Sequence, residues 1–316
     1  MKTALKSTTL SSIASVCLLA TASTGVAQDP APQWRIDVGS NLSDTLDCFE
    51  AEEKTLISAH RGGPSAGLPE NAIETMDAVL TAIPAIMEFD VAASSDGVHY
   101  LMHDRTLDRT TTGTGNADEL EWSAISQLRL VDADGWVTPY LVPTLEAALN
   151  WAKDRTVVQI DFKRSASYER VIDLVRQTGT EQRVILIAYS VAAAAKMHEL
   201  APEMLISLSL QRPGALDEAV AAGIPADRLV AFTGTRLARP DLYSNLDSQD
   251  VEVIFGTLGG RQSLDKVFAR MGTDERYAEL SEQGVDIIAT DRPRAAAVAL
   301  KGAGRLPEAG QCGVSR

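Results

Sequence analysis

From Lys54 onward, short apolar runs alternate with amphipathic stretches. The runs with strand character are 56–60 (LISAH), 85–91 (AIMEFDV), 157–163 (VVQIDFK), 184–189 (VILIAY), 205–210 (LISLSL), 228–233 (RLVAFT), 251–257 (VEVIFGT) and 286–290 (DIIAT). They are short and rich in Val, Ile and Phe, as buried strands are. Between them lie segments of helical spacing at 72–82, 144–153, 167–178, 191–200, 214–222 and 273–283. Strand followed by helix, repeated, predicts an α/β fold with a parallel sheet, and eight strands fit a closed TIM (β/α)8 barrel. An open doubly wound sheet is the alternative, but the Gly-rich dinucleotide loop that usually follows its first strand is absent.

The pattern also places the loops. Asn71, with Glu74 three residues on, predicts a capping box that starts the first helix. The segment HRGGPSAGLPE (60–70) is then the loop after the first strand. Residues 104–143 are the longest interruption, rich in Thr, Gly and Asp, and predict a small insertion after the second strand beside the barrel mouth. The expected organisation is a secretory signal over 1–27, a lead-in segment over 28–50, a single barrel domain over 51–303 and a tail over 304–316.

The signal reading rests on Lys2 and Lys6, a short apolar stretch from Ile13 to Ala20, and small residues before cleavage at Ala22 or Ala27. It implies export to the periplasm or the cell exterior. Loss of residues 1–27 removes two lysines and no acid, so the formal charge goes from −14 to −16. Such an acidic chain is a poor partner for nucleic acid or an anionic membrane, and no stable membrane insertion is expected. An anionic substrate then needs a local cationic site. Cys48 and Cys312 remain near opposite ends of the exported chain, where a disulfide can form.

Alternation along 85–91 sets Met87, Phe89 and Val91 on one face and Ile86, Glu88 and Asp90 on the other. In a barrel the apolar set meets the helices and the acidic set points inward. Along 157–163 the inward set is Gln159, Asp161 and Lys163. Buried carboxylates need a counter-charge, because desolvation and mutual repulsion each cost several kcal/mol. Glu88, Asp90 and Asp161 are therefore candidate ligands of a divalent cation, Mg²⁺ or Ca²⁺ by their oxygen chemistry. An internal salt bridge such as Glu88–Lys163 is the structural alternative. His60 and His103, at strand ends near these carboxylates, are candidate general acid and base, since imidazole titrates near neutrality. Arg61 is a candidate phosphate clamp or a partner of Glu70, and Lys163 a cation at the rim.

Taken in order, these motifs resemble the glycerophosphodiester phosphodiesterase family. The resemblance is carried by HRG (60–62) with PEN (69–71), E-x-D at Glu88 and Asp90, and HD at 103–104 with L-x-RTT-x-G-x-G. PTLEAAL (143–149) and a closing TDRP (290–293) complete it. It implies a TIM barrel, a divalent cation and hydrolysis of glycerophosphodiesters to glycerol 3-phosphate and an alcohol. His60 and His103 match the family's catalytic histidines, and Glu88 and Asp90 its metal ligands. Three positions depart from the pattern. Asp161 stands for the usual Glu, which favours a water-bridged ligand. Ala72 replaces Thr. FGTLGG (255–260) stands where many members carry a tryptophan that shapes the substrate pocket. The expected partner is thus a small-molecule phosphodiester. Alternatives are a related exported phospholipase or sugar-phosphodiester phosphodiesterase on the same barrel, or a barrel that only binds phosphorylated ligands.

Overall fold

In the computed structural model of the chain, residues 1, 3, 4, 32–39 and 41–316 are described. Nearly all of the proposed signal segment lies outside them. From Pro32 onward the chain forms one compact unit. Its eight barrel strands are β1 (Leu56–Ala59), β2 (Ile86–Ala93), β3 (Val158–Phe162), β4 (Val184–Ala188), β5 (Leu205–Ser209), β6 (Leu229–Phe232), β7 (Val253–Gly256) and β8 (Ile287–Thr290). Each pairs in parallel with the next, and β8 pairs with β1, so the sheet closes. The barrel expected from the alternation is the fold, and the open sheet is excluded.

The two faces of the strands separate as their periodicity requires. Met87, Phe89 and Val91 pack outward, within the apolar cluster shared with the helices. Inward, Leu56, Ile86, Ile185, Leu205, Val230 and Ile254 fill the N-terminal end of the barrel. The segment read as a lead-in contributes to this layer. It contains a helix, Leu42–Ala51, capped by Asn41, whose Leu42, Leu46 and Phe49 plug the barrel floor. Its outward face is Ser, Asp and Glu, so the segment looks polar along the sequence.

Both termini of the described domain are fastened at that end. Arg35–Ile36 pairs antiparallel with Val314–Ser315. Cys48 is bonded to Cys312 across 264 residues of chain. The polar C-terminal face is left open, and there the catalytic groups of TIM-barrel enzymes sit. Between β2 and β3, His99–Leu101 extends the sheet antiparallel to β2, and Arg129–Val131 pairs with Val137–Leu141.

One local expectation is overturned. Asn71 does not cap the first helix: Ala72 occupies that position, with no side-chain cap. Asn71 instead has φ +58°. Its side chain faces Asp90, donating to Oδ2 at 2.8 Å and accepting from the Asp90 N–H at 3.0 Å. A side chain committed in both directions to a neighbouring strand cannot also close a helix.

Candidate active site

The register of β2 on β3 brings the carboxylates together. Glu88 is opposite Gln159 and Asp90 opposite Asp161, so two inward acids stand one strand spacing apart. One ligand oxygen from each of Glu88, Asp90 and Asp161 lies within 4.8 Å of the others. All three residues are buried. Burial, then repulsion from Asp90, pushes the Glu88 carboxyl up to about 8. Asp90 goes the other way: burial would raise it, but Lys163 and the Asn71 amide hold it below the usual carboxylate range.

Lys163 does not pair with Glu88. Its ammonium lies 2.6 Å from Asp90 Oδ1 and 2.7 Å from Asp161 Oδ2. The Lys163 ammonium and the Arg61 guanidinium, 3.6 Å from Asp90, are two cations against three buried carboxylates. Asp90 Oδ1 and Asp161 Oδ1 also lack a well-aligned hydrogen-bond donor. Buried carboxylate oxygens converging on one point, with Asp161 Oδ1 unpartnered and Asp90 Oδ1 met only by the Lys163 ammonium, are the donor set that a hard divalent cation takes. The residues fit such an ion. Tyr189, which the sequence reading passed over, donates to Asp161 Oδ2 at 2.8 Å and fixes that carboxylate from the end of β4.

The turn after β1 explains the spelling HRGG. His60–Gly62 is a single tight turn in which Arg61 has φ +53°. The Arg61 N–H donates to Glu88 Oε2 at 2.7 Å, which holds a non-glycine residue in the left-handed region. Gly62 and Gly63 follow at φ +79° and +77°, and a Cβ on either would meet Met76, or Pro293 and Val79, at under 3 Å. Only glycine lets the loop turn back this close to the helices.

Each histidine has a carboxylate behind it. His60 Nδ1 is 2.7 Å from Asp291 Oδ1. Asp291 belongs to the TDRP segment, and the buried Asp265 organises that segment by accepting from Thr290 Oγ1 and the Asp291 N–H, both at 2.7 Å. Burial alone would lower the His60 imidazole, but Asp291 and Glu88 outweigh it and raise its pKa. His103 Nδ1 is 2.7 Å from Asp104 Oδ1. Asp104 is held well below the carboxylate range chiefly by Arg109, which donates to it at 2.5 and 2.9 Å and to Glu70 at 2.8 Å through both terminal nitrogens. Glu70 also accepts from Arg61 Nη1 at 3.0 Å. Arg61 Nε, 3.6 Å from Asp90, is buried without a hydrogen bond.

The predicted residues are therefore assembled in one place, and the sequence reading missed their supports: Asp291, Asp104, Arg109, Asn71 and Tyr189. Arg109 and Asp291 were inside quoted motifs, so the signal was present without its geometry. His99 is elsewhere: its Nε2 accepts from the Ser167 N–H at 3.2 Å, a structural contact at the start of the helix Tyr168–Thr178. The pocket itself, about 100 Å³, is floored by Ser58 and Gln159, flanked by His60, Glu88 and Asp161, and closed by apolar side chains such as Phe232. In chemical terms the pocket offers Glu88 and Asp161 of the carboxylate cluster and the His60–Asp291 pair, while His103 and Asp104 line a separate groove with Lys163.

Comparison with known proteins gives a consistent picture. The profile of the glycerophosphoryl diester phosphodiesterase family matches residues 60–295. A glycerophosphodiester phosphodiesterase of Caldanaerobacter subterraneus subsp. tengcongensis is 25% identical over 248 residues, 76% of this chain and 95% of that protein. A glycerophosphoryl diester phosphodiesterase structure from Parabacteroides distasonis superimposes with a TM-score of 0.80 at 30% identity, covering 88% of this chain and 96% of that one. An Oleispira antarctica phosphodiesterase, solved with the product sn-glycerol-3-phosphate, shares the fold at TM-score 0.62 and 17% identity, over 79% of this chain and 98% of that one.

Proposed function

This chain belongs to the glycerophosphoryl diester phosphodiesterase family and is a phosphodiesterase, and from that footing we propose how its own residues carry out the reaction. It hydrolyses glycerophosphodiesters to glycerol 3-phosphate and an alcohol, with His60 and His103 as the acid–base pair. The observation that supports this most is the double arrangement of imidazole and carboxylate, His60–Asp291 and His103–Asp104, beside one carboxylate cluster.

Glu88, Asp90 and Asp161 would hold a divalent cation, Mg²⁺ or Ca²⁺, which would supply positive charge to offset the phosphate and favour loss of the attacking hydroxyl's proton. Arg61 turns its unsatisfied Nε–H toward a phosphate oxygen, and Lys163 adds positive charge at the rim. One imidazole takes the proton of the attacking hydroxyl as its oxygen bonds to phosphorus. The phosphorus–oxygen bond to the alcohol breaks, and the other imidazole, protonated, gives its proton to the departing oxygen. The net reaction consumes one water. Asp291 and Asp104 orient the rings and stabilise the charged form of each.

The protein acts outside the cytosol in this reading, supported by the charged, apolar and small-residue succession over 1–27 and by the Cys48–Cys312 bond, which persists in oxidising compartments. Among the described residues no helix is long and apolar enough to cross a membrane. Metal stripping tests the proposal. EDTA treatment should abolish turnover of glycerophosphocholine, and Mg²⁺ or Ca²⁺ should restore it. Full activity in stripped, folded protein would contradict it.

A further inference from the structure

The loops after β6 and β7 meet beside the active-site pocket and are fastened to each other. The Gly256 N–H donates to Gly234 O at 2.9 Å, and a Cβ on Gly256 would lie 2.8 Å from the Thr235 methyl. Arg239 Nη1 ties the first loop down through Gln211 O at 2.7 Å. The second is held at Gly259, whose N–H donates to Asp291 Oδ2 at 3.0 Å and whose carbonyl accepts from Lys266 Nζ at 3.1 Å. The aspartate that pairs with His60 thus also fixes this part of the rim.

Between the loops runs a groove of about 790 Å³, lined by Thr235, Arg236, Gly260, Arg261 and Ser263 among others. Leu258 lines both this groove and the active-site pocket, so the two adjoin. The pocket has room for a small group such as glycerol, and the groove has room for a larger alcohol. No acidic side chain lines the groove. Arg212 and Arg292, cations of nearby segments, are paired with Glu218 and Asp274. Arg236 and Arg261 form no ion pair among the described residues. The groove beside His103 mixes Arg105, Lys163 and Arg164 with Asp104 and Asp118, and its Lys163 is already paired with Asp90 and Asp161.

Two guanidinium groups opening on one acid-free groove, in a chain of net charge −14, form a local exception to the protein's field. A phosphate completes such an arrangement, because each planar fork meets two of its oxygens. We propose that Arg236 and Arg261 bind a second phosphate carried by the alcohol of the diester, so that the favoured substrates are glycerophosphodiesters of phosphorylated alcohols. This inference rests on the reading of the site as a glycerophosphodiesterase.

The test compares kcat/KM for glycerophosphoinositol 4-phosphate and glycerophosphoinositol, using the full metal-loaded chain. The phosphorylated substrate should be preferred by about tenfold, the scale of one or two charge-assisted contacts at a partly exposed site. Arg236→Gln with Arg261→Gln should bring the ratio to about one. Lys301→Gln, which removes an exposed cation at the far end of the helix Pro293–Gly302, should leave it unchanged and so exclude a general field effect. A wild-type ratio of one, or a ratio that survives the double substitution, would overturn the proposal while leaving the glycerophosphodiesterase reading intact. Turnover of neither diester would overturn both.

Discussion

His60 and Asp291 are 231 residues apart in the chain, yet His60 Nδ1 and Asp291 Oδ1 lie 2.7 Å apart. The contact joins the turn after the first barrel strand to the turn after the last, across the seam where β8 closes on β1. It turns barrel closure into a condition for positioning the imidazole. Asp291→Asn should keep the geometry but lose the charge that stabilises the imidazolium, lowering kcat by roughly 10²–10³-fold. Melting temperature measured beside kcat separates this from a folding defect. A variant that melts several degrees lower with normal kcat per folded molecule would make the contact merely structural.

The metal ligands should be unequal. Asp161 keeps one oxygen partnerless and shares the other with Lys163 and Tyr189. Calorimetric titration with Mg²⁺ or Ca²⁺ should show Glu88→Gln weakening affinity more than Asp161→Asn. The reverse order would place Asp161 at the centre of coordination.

The fold was legible because a barrel strand has two environments, and alternation records both. The inward acids could be read for the same reason: a carboxylate on the face that should be apolar stands out. What could not be read was pairing between distant segments. Asp291 lies within a recognisable motif, but nothing local says that it faces His60. Asn71 was assigned to the helix beside it because capping chemistry is local, whereas its true partner, Asp90, is on the neighbouring strand. The helix Leu42–Ala51 was hidden by its polar outer face, since only Leu42, Leu46 and Phe49 enter the barrel.

The floor of the barrel makes stability depend on pH. Glu252 is 5% exposed, with Oε1 lacking a hydrogen-bond partner. Burial, then the surrounding Asp47, Asp286 and Glu50, pushes its carboxyl up to about 9. Burial also pushes Asp286 up to about 6. A carboxyl raised on folding holds a proton that the unfolded chain has lost. Its contribution is complete below the unfolded pKa of about 4 and fades as pH rises toward the folded value. Melting temperature should therefore fall between about pH 5 and pH 9. Glu252→Gln should flatten that slope and raise the melting temperature at pH 8 relative to wild type, because an amide needs no proton to enter the buried site. An unchanged slope would remove Glu252 as its source.

The Cys48–Cys312 bond restrains the end of the barrel away from the pocket. Replacing both cysteines with serine should cost about 3–5 kcal/mol at most, because a long loop is released in the unfolded chain. Turnover per folded molecule should stay near wild type. A large loss of kcat at temperatures where the variant remains folded would show that the floor and the site are coupled.

The most direct test of the central claim is phosphorus NMR of glycerophosphocholine incubated with the metal-loaded protein. The diester resonance should be replaced by that of glycerol 3-phosphate, and His60→Ala and His103→Ala should each slow the conversion by about 10²–10⁴-fold. A diester resonance that persists with folded, metal-loaded wild-type protein, or conversion at the wild-type rate in either histidine variant, would contradict the account.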